Sequence, residues 1–171
     1  MIPQPALRDA DASDPEPPEL IYLHPGQMCC CEKPSRVETV LGSCVAVIMW
    51  NPQLQVGCIC HAVLPWSERQ KTDPLKYVDS SIHSMLRALE KHASPRSDIQ
   101  VKLFGGASMR QLAPGRTSVG RQNIDAALAV LREEGLTPRS SDIGGTEGRK
   151  LRFYSATGEV FVKRIRMEAN G

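Results

Sequence analysis

The sequence has 171 residues, of which 41% are hydrophobic and 23% are charged, and its formal net charge is +2. This length suits one domain with a buried core, and the interspersed charges give no basic surface of the kind that binds nucleic acid. No run approaches the roughly eighteen apolar residues of a membrane span and the first residues do not resemble a signal peptide, so we expect a cytoplasmic protein without direct membrane insertion.

The first 18 residues form a Pro-rich acidic segment. They contain five prolines and four acidic residues but few large apolar side chains. This composition predicts a disordered tail over residues 1–18, followed by a single domain over residues 19–171. Because the tail has no apolar face, we expect its removal to leave the activity of the domain unchanged.

Two apolar, β-branched-rich runs, residues 39–50 and 54–64, come after a short predicted strand at the start of the domain. The segment Asn51-Pro52-Gln53 between them is a turn signal and predicts a β-hairpin centred between Pro52 and Gln53. In this register Cys44 lies directly opposite His61, within reach for the imidazole to take the thiol proton and favour the thiolate. The pair is therefore a candidate nucleophile and base.

A cysteine in an apolar strand is more often a small buried hydrophobe, and a neighbouring histidine is more often a core residue. Gly42, just before Cys44, favours the functional interpretation, because a pleated core strand has no need of glycine. It indicates an irregularity that can turn main-chain N–H groups toward a ligand. The N–H groups of Ser43 and Cys44 are thus candidate donors to an oxyanion.

Helical periodicity follows in two places. Residues 77–91 carry one apolar stripe, and residues 121–134 carry a second that ends at Gly135. A strand at residues 99–104 separates them, three short strands follow, and the glycine pairs 105–106 and 144–145 predict tight turns with positive φ. The predicted order of elements is strands, helix, strand, helix and strands. This order predicts an α+β protein that is arranged as a layered sandwich.

Six cysteines raise the question of metal or disulfide chemistry. Cys29, Cys30 and Cys31 are adjacent and Cys58 and Cys60 are one residue apart, so neither group has the spacing of a structural zinc site. A metal site assembled from Cys29, Cys30, Cys31, Cys60 and His61 is a remote alternative. We expect reduced thiols, no metal and no cofactor, and the sequence assigns no role to Cys29, Cys30 and Cys31.

Nine segments of the sequence carry recognisable motifs, in this order: Tyr22-Leu23-His24-Pro25-Gly26, Thr39-Val40-Leu41-Gly42-Ser43-Cys44-Val45-Ala46-Val47, His61 with Leu64-Pro65, Lys76-Tyr77, Lys102-Leu103-Phe104-Gly105-Gly106-Ala107, Gly120-Arg121-Gln122-Asn123, Asp142-Ile143-Gly144-Gly145, Gly148-Arg149-Lys150 and Thr157-Gly158. Together, over roughly residues 20–166, they resemble the CheD family of chemoreceptor glutamine deamidases.

The resemblance implies a bacterial chemotaxis enzyme that hydrolyses the side-chain amide of specific glutamines in chemoreceptor cytoplasmic domains. It implies a single-domain layered α/β/β sandwich similar to deamidating toxins, with Cys44 as nucleophile, His61 as its partner and a CheC-type phosphatase as binding partner. The alternative is a non-catalytic adaptor that binds such a phosphatase or the receptor.

The third catalytic residue is open at this point. Many family members have a hydroxyl residue six positions before the nucleophile, where this chain has Glu38, and the nearest hydroxyl belongs to Thr39. An irregularity at Gly42 can bring Thr39 onto the face of Cys44. We therefore predict that Thr39, rather than Glu38, supports His61.

Overall fold

The computed structural model describes residues 16–68 and 72–167, and in this part the chain forms nine strands and two α-helices. The strands are β1 Glu19–Tyr22, β2 Met28–Cys31, β3 Ser35–Leu41, β4 Val45–Asn51, β5 Val56–Cys60, β6 Gln100–Gly105, β7 Pro138–Ile143, β8 Gly148–Tyr154 and β9 Val160–Ile165. The helices are α1 Val78–Lys91 and α2 Val119–Glu133. No helix in the described ranges is long and apolar enough to cross a bilayer.

The strands belong to two mixed sheets. One sheet has four strands in the order β1-β3-β8-β9, with β1 parallel to β3, and the other has five in the order β2-β5-β4-β6-β7, with β6 parallel to β7. The predicted α+β class and the predicted single domain are confirmed for the described residues. Of the predicted tail, residues 1–15 lie outside the described residues, and residues 16–18 are exposed and lack regular structure.

Side chains of β4 enter two separate hydrophobic clusters. Val45, Val47 and Met49 pack with the buried stripes of both helices, whereas Ala46 and Ile48 pack with side chains of the four-stranded sheet. This alternation follows from the two-residue period of a strand. Because both faces of β4 are covered, its side chains are apolar on both faces rather than on alternate positions only.

Both helices have the predicted apolar stripes. The stripe of α1 is buried along its length and consists of Val78, Ile82, Met85, Leu86 and Leu89. The helix α2 begins after Ser118, whose hydroxyl accepts a hydrogen bond from the main-chain N–H of Arg121, and its last turn is followed by Gly135 at φ +73°. The predicted end of this helix is confirmed.

The interpretation of residues 39–50 as one strand is wrong. The strand β3 ends at Leu41, β4 begins at Val45, and the two strands belong to different sheets. Residues 42–44 are therefore the crossing between sheets. A Cβ on Gly42 would lie 2.8 Å from the Met109 sulfur, so a side chain at this position would have to displace the side chain of Met109.

The predicted hairpin register is also wrong. Asn51 pairs with Val56 across a four-residue turn, in which the Asn51 side chain accepts hydrogen bonds from two main-chain N–H groups and Gln55 adopts φ +52°. The turn is centred one residue later than expected, which shifts every pairing by two. The main chains of Val45 and Ala62 exchange two hydrogen bonds, so Cys44 and His61 are diagonal neighbours rather than directly opposed residues.

The expectation of reduced thiols is wrong for one pair. Cys30 and Cys58 form a disulfide, because β2 lies beside β5 and the register places these residues directly opposite each other, with 4.1 Å between their Cα atoms. Cys29, Cys31, Cys44 and Cys60 are not disulfide-bonded.

Candidate active site

The loop that carries Cys44 has each of its carbonyl groups held from inside the protein. The Gly42 carbonyl accepts from the Ala107 N–H at 2.9 Å, and the Cys44 carbonyl accepts from the Gly106 N–H at 2.8 Å. Between them, the Ser43 carbonyl accepts from the side-chain amide of Asn123 at 2.9 Å. These bonds fix the crossing between the sheets even though it has no regular secondary structure.

The turn after β6 can approach this loop closely because it contains two glycines. Gly105 and Gly106 have φ values of +101° and +71°, which confirms the turn predicted from the sequence. A Cβ on Gly105 would collide with the Cys44 carbonyl oxygen, and one on Gly106 would collide with the Ile124 side chain. Substitution at Gly105 would therefore displace the loop of Cys44, whereas substitution at Gly106 would displace α2.

The inward direction of these carbonyls turns main-chain N–H groups of the same loop the other way. Among the hydrogen bonds of the described residues, neither Ser43 N–H nor Cys44 N–H is a donor. A trans peptide directs its C=O and N–H in opposite directions, so carbonyls turned inward aim the following N–H groups the other way. The two candidate oxyanion donors are thus available to a ligand at the half-buried Cys44.

His61 follows β5 directly and is 2% exposed. Its main chain is held on both sides, since its N–H donates to the Gln27 carbonyl and its carbonyl accepts from the Gly26 N–H. Its ring lies beside β3, with 2.7 Å between Nδ1 and the Thr39 hydroxyl oxygen. The structure therefore brings Thr39 and His61 together from different sheets.

The hydrogen bonds of Thr39 determine which ring nitrogen of His61 carries the proton. The Thr39 hydroxyl donates its only hydrogen to the Leu23 carbonyl at 2.7 Å. It can therefore only accept from His61, so Nδ1 carries the proton and Nε2 keeps its lone pair. In this tautomer the imidazole is a proton acceptor at Nε2.

Glu38 lies on the opposite face of β3 from Thr39. The inward positions of this strand alternate with the outward ones, and Thr39 is 1% exposed. The Glu38 carboxylate is bonded to the Arg152 guanidinium at 2.8 Å and lies 3.4 Å from that of Arg36. The carboxylate of Glu38 is thus engaged in ion pairs on the outer face of β3, away from His61.

Burial shifts both titrating groups toward their neutral forms. Desolvation raises the pKa of the Cys44 thiol, an effect partly opposed by the residue's own main-chain N–H. Desolvation also lowers the pKa of His61 to about 4. The expected thiolate favoured by His61 is therefore not supported, and near neutral pH the site holds a thiol and an uncharged imidazole.

The remaining cysteines divide between the two hydrophobic clusters. Cys60 and the disulfide-bonded Cys58 belong to the helix-side cluster, whereas Cys29 and Cys31 contribute to the cluster between the sheets. In residues 16–68 and 72–167 no three His, Cys, Asp or Glu side chains are grouped as metal ligands. The remote metal alternative is therefore without support, because its residues point to opposite faces.

Sequence reasoning did not identify the site role of Asn123. This residue is fully buried in α2, and its amide nitrogen lies 2.9 Å from the Ser43 carbonyl and 3.0 Å from the Val63 carbonyl. It thus contacts both segments of the candidate site. The segment Gly120-Arg121-Gln122-Asn123 marked the residue in the sequence, but nothing in it indicated these partners.

A two-sheet α+β domain with a half-buried cysteine near a neutral, hydroxyl-anchored histidine defines a candidate thiol hydrolase. Residues 63–164 match the family model described as CheD chemotactic sensory transduction. The probable chemoreceptor glutamine deamidase CheD 2 of Geobacter sulfurreducens is 46% identical over 151 residues, which cover 88% of this chain and 93% of that protein. The probable chemoreceptor glutamine deamidase CheD of Maridesulfovibrio salexigens is 40% identical over 85% of this chain and 91% of its own length. The chain belongs to the CheD family.

Proposed function

We propose that the protein hydrolyses the side-chain amide of specific glutamines in chemotaxis receptors, giving glutamate and ammonia. Cys44 is the nucleophile, His61 the base and Thr39 the residue that orients His61. One observation carries the proposal: the Thr39 hydroxyl oxygen lies 2.7 Å from both the Leu23 carbonyl and Nδ1 of His61, which favours the tautomer with the proton on Nδ1 and a free lone pair on Nε2. The substrate is inferred from the two relatives, which are named as probable chemoreceptor glutamine deamidases.

The reaction starts from a neutral pair. As the Cys44 sulfur attacks the amide carbon, its proton moves to Nε2 of His61, a C–S bond forms and the carbonyl π pair moves onto oxygen. The N–H groups of Ser43 and Cys44 donate to this oxyanion. The imidazolium formed is stabilised by the Thr39 hydroxyl, which accepts from Nδ1–H.

The tetrahedral intermediate then breaks its C–N bond. His61 returns its proton to the departing nitrogen, so ammonia leaves and a thioester on Cys44 remains. Water attacks the thioester with His61 again as base, the C–S bond breaks, and the product is glutamate with the thiol restored. No metal or cofactor is needed to balance these steps.

The finer features follow the same proposal. The substrate is the receptor cytoplasmic domain, the protein acts in the cytoplasm, and a CheC-type phosphatase is its regulatory partner. The two sheets and two helices form a layered α/β/β sandwich similar to deamidating toxins.

The direct test is incubation with receptor cytoplasmic fragments in ¹⁸O-labelled water, followed by peptide mass spectrometry. Deamidation by the wild type converts specific glutamines to labelled glutamates, whereas Cys44→Ser leaves them unchanged. Cys29→Ser is the matched control, because Cys29 is also a half-buried thiol that is not disulfide-bonded. A wild type that binds receptor or phosphatase without converting any glutamine would instead support the adaptor alternative.

A further inference from the structure

We propose that Asn123 is a positioning residue that aims the Cys44 main-chain N–H at the reaction's oxyanion and joins the loop of Cys44 to the segment of His61. This inference rests on the proposed function, since it assigns Asn123 a part in that reaction. The hydrogen bonds of Asn123 among the described residues go to main-chain carbonyls, so it acts through the backbone of residues near the thiol and the imidazole.

The two hydrogen bonds of Asn123 require an amide. Its nitrogen donates to the carbonyl of Ser43, directly before Cys44, and to that of Val63, two residues after His61. A hydroxyl supplies one hydrogen and a carboxylate supplies none, so only an NH₂ group satisfies both carbonyls. Because Asn123 is fully buried, bulk solvent does not compete for these bonds.

The Ser43 carbonyl and the Cys44 N–H belong to one rigid peptide unit. A planar trans peptide holds its C=O and N–H in opposite directions, so the bond from Asn123 to the Ser43 oxygen sets the direction of the Cys44 N–H. The neighbouring carbonyls of Gly42 and Cys44 are held by main-chain amides, which survive any side-chain substitution. The orientation of this one peptide therefore depends on the side chain of Asn123.

Asn123 itself comes from a fixed element. The first turn of α2 is capped by Ser118 and lies against the turn of Gly106, where a Cβ on Gly120 would collide with the carbonyl oxygens of Gly106 and Ala107. The helix and the glycine turn thus hold the loop of Cys44 from the same side. A rigid support of this kind is what a precisely directed N–H requires.

The test is Asn123→Ala, with Asn51→Ala as matched control. Asn51 is equally buried, donates to Ser94 and accepts from two N–H groups in the distant hairpin turn, so its loss destabilises the fold without touching the site. For Asn123→Ala we expect kcat to fall about 10- to 100-fold with KM within about twofold, as for a weakened oxyanion donor. For Asn51→Ala we expect both constants within about twofold of wild type, with a comparable loss of thermal stability.

A second measurement is independent of deamidation. The Cys44 N–H also favours the thiolate of its own residue, so misorienting it should move the pH profile of Cys44 alkylation by iodoacetamide to higher pH. We expect this movement in Asn123→Ala and not in Asn51→Ala. If the wild type deamidates nothing, the proposed function fails, while this profile still tests the positioning of the peptide.

Two results would overturn the inference. One is a folded Asn123→Ala protein with wild-type kcat and alkylation profile, and the other is a loss of kcat in both variants that simply follows their loss of stability. If Asn123→Ala does not fold, Asn123→Asp keeps the size of the side chain and supplies at most one donor, and the same two measurements decide.

Discussion

Replacing Thr39 by valine keeps the volume of the side chain and removes the hydroxyl that anchors His61. Two buried groups lose their partner, the Leu23 carbonyl and the Nδ1–H of His61, each now 2.7 Å from the hydroxyl oxygen. Leaving a buried polar group unpaired costs about 1–3 kcal/mol, so we expect the free energy of unfolding to fall by about 3 kcal/mol.

The effect on turnover has a separate origin. During the attack of Cys44 the imidazole of His61 becomes charged, and the bond from Nδ1–H to Thr39 becomes charge-assisted. Hydrogen bonds to charged groups contribute about 1.5–3 kcal/mol, which corresponds to a loss of about 10- to 150-fold in kcat. We expect little change in KM, because Thr39 is buried behind the imidazole.

Two variants separate this cause from general damage. Thr39→Ser restores the hydroxyl and should return kcat to within about threefold of wild type. Glu38→Gln weakens the outer ion pairs with Arg152 and Arg36 and should have a similarly small effect. The assay is steady-state deamidation of one receptor fragment, with urea unfolding of each variant. Near-wild-type kcat in Thr39→Val, or a severe loss confined to Glu38→Gln, would refute the reasoning.

Four further outcomes are expected. Cys44→Ala and Cys44→Ser should abolish deamidation and retain the circular dichroism of wild type, and residual activity near wild type would exclude Cys44 as nucleophile. The pKa of His61 is about 4 in the folded protein against 6.5 unperturbed, so the neutral ring contributes fully to stability above about pH 6.5. This contribution is lost as the pH falls through 4. Urea unfolding should show that the free energy of unfolding falls by about 3 kcal/mol over this range in the wild type but not in His61→Gln. The Cys30–Cys58 disulfide joins residues separated by 28 positions, so its reduction should lower the free energy of unfolding by about 3–4 kcal/mol. The free energy of unfolding of Cys58→Ser should not change when reductant is added. Deletion of residues 1–18 should leave kcat and KM on the receptor fragment unchanged, and a large loss would show that the tail contributes to substrate binding.

Local patterns predicted the local structure well. The stripes of α1 and α2, the end of α2 at Gly135 and the positive φ of Gly105 all follow from periodicity or from the conformational needs of single residues. Such features depend on a few neighbouring side chains, so one sequence contains the information that they require.

The register of the hairpin could not be predicted from local sequence patterns. The turn signal at Pro52 was correct, but the Asn51 side chain organises a four-residue turn, and a displacement of one residue in the turn centre moves Cys44 from opposite His61 to a diagonal position. The apolar run from residue 39 to residue 50 likewise gave no sign that it crosses between sheets, because both of its halves are buried.

Long-range contacts were beyond the sequence. The Cys30–Cys58 disulfide depends on β2 lying beside β5, and the bond from Asn123 to Ser43 joins positions 80 residues apart. Thr39 was predicted to support His61 because an irregularity at Gly42 can bring it onto the face of Cys44. The structure does place the side chains of Thr39 and His61 together. Whether that contact supports catalysis stays a prediction until the Thr39 variants are assayed.

The bond between Thr39 and His61 joins the two sheets, because Thr39 belongs to β3 and His61 follows β5. A shortened protein built from the helices and the five-stranded sheet would therefore keep Cys44 and His61 but lose the group that holds the imidazole. Changes in the packing between the sheets should likewise alter turnover from a distance, by rotating that ring. The four-stranded sheet thus supplies a residue of the candidate site, and this limits how far the domain can be reduced in size.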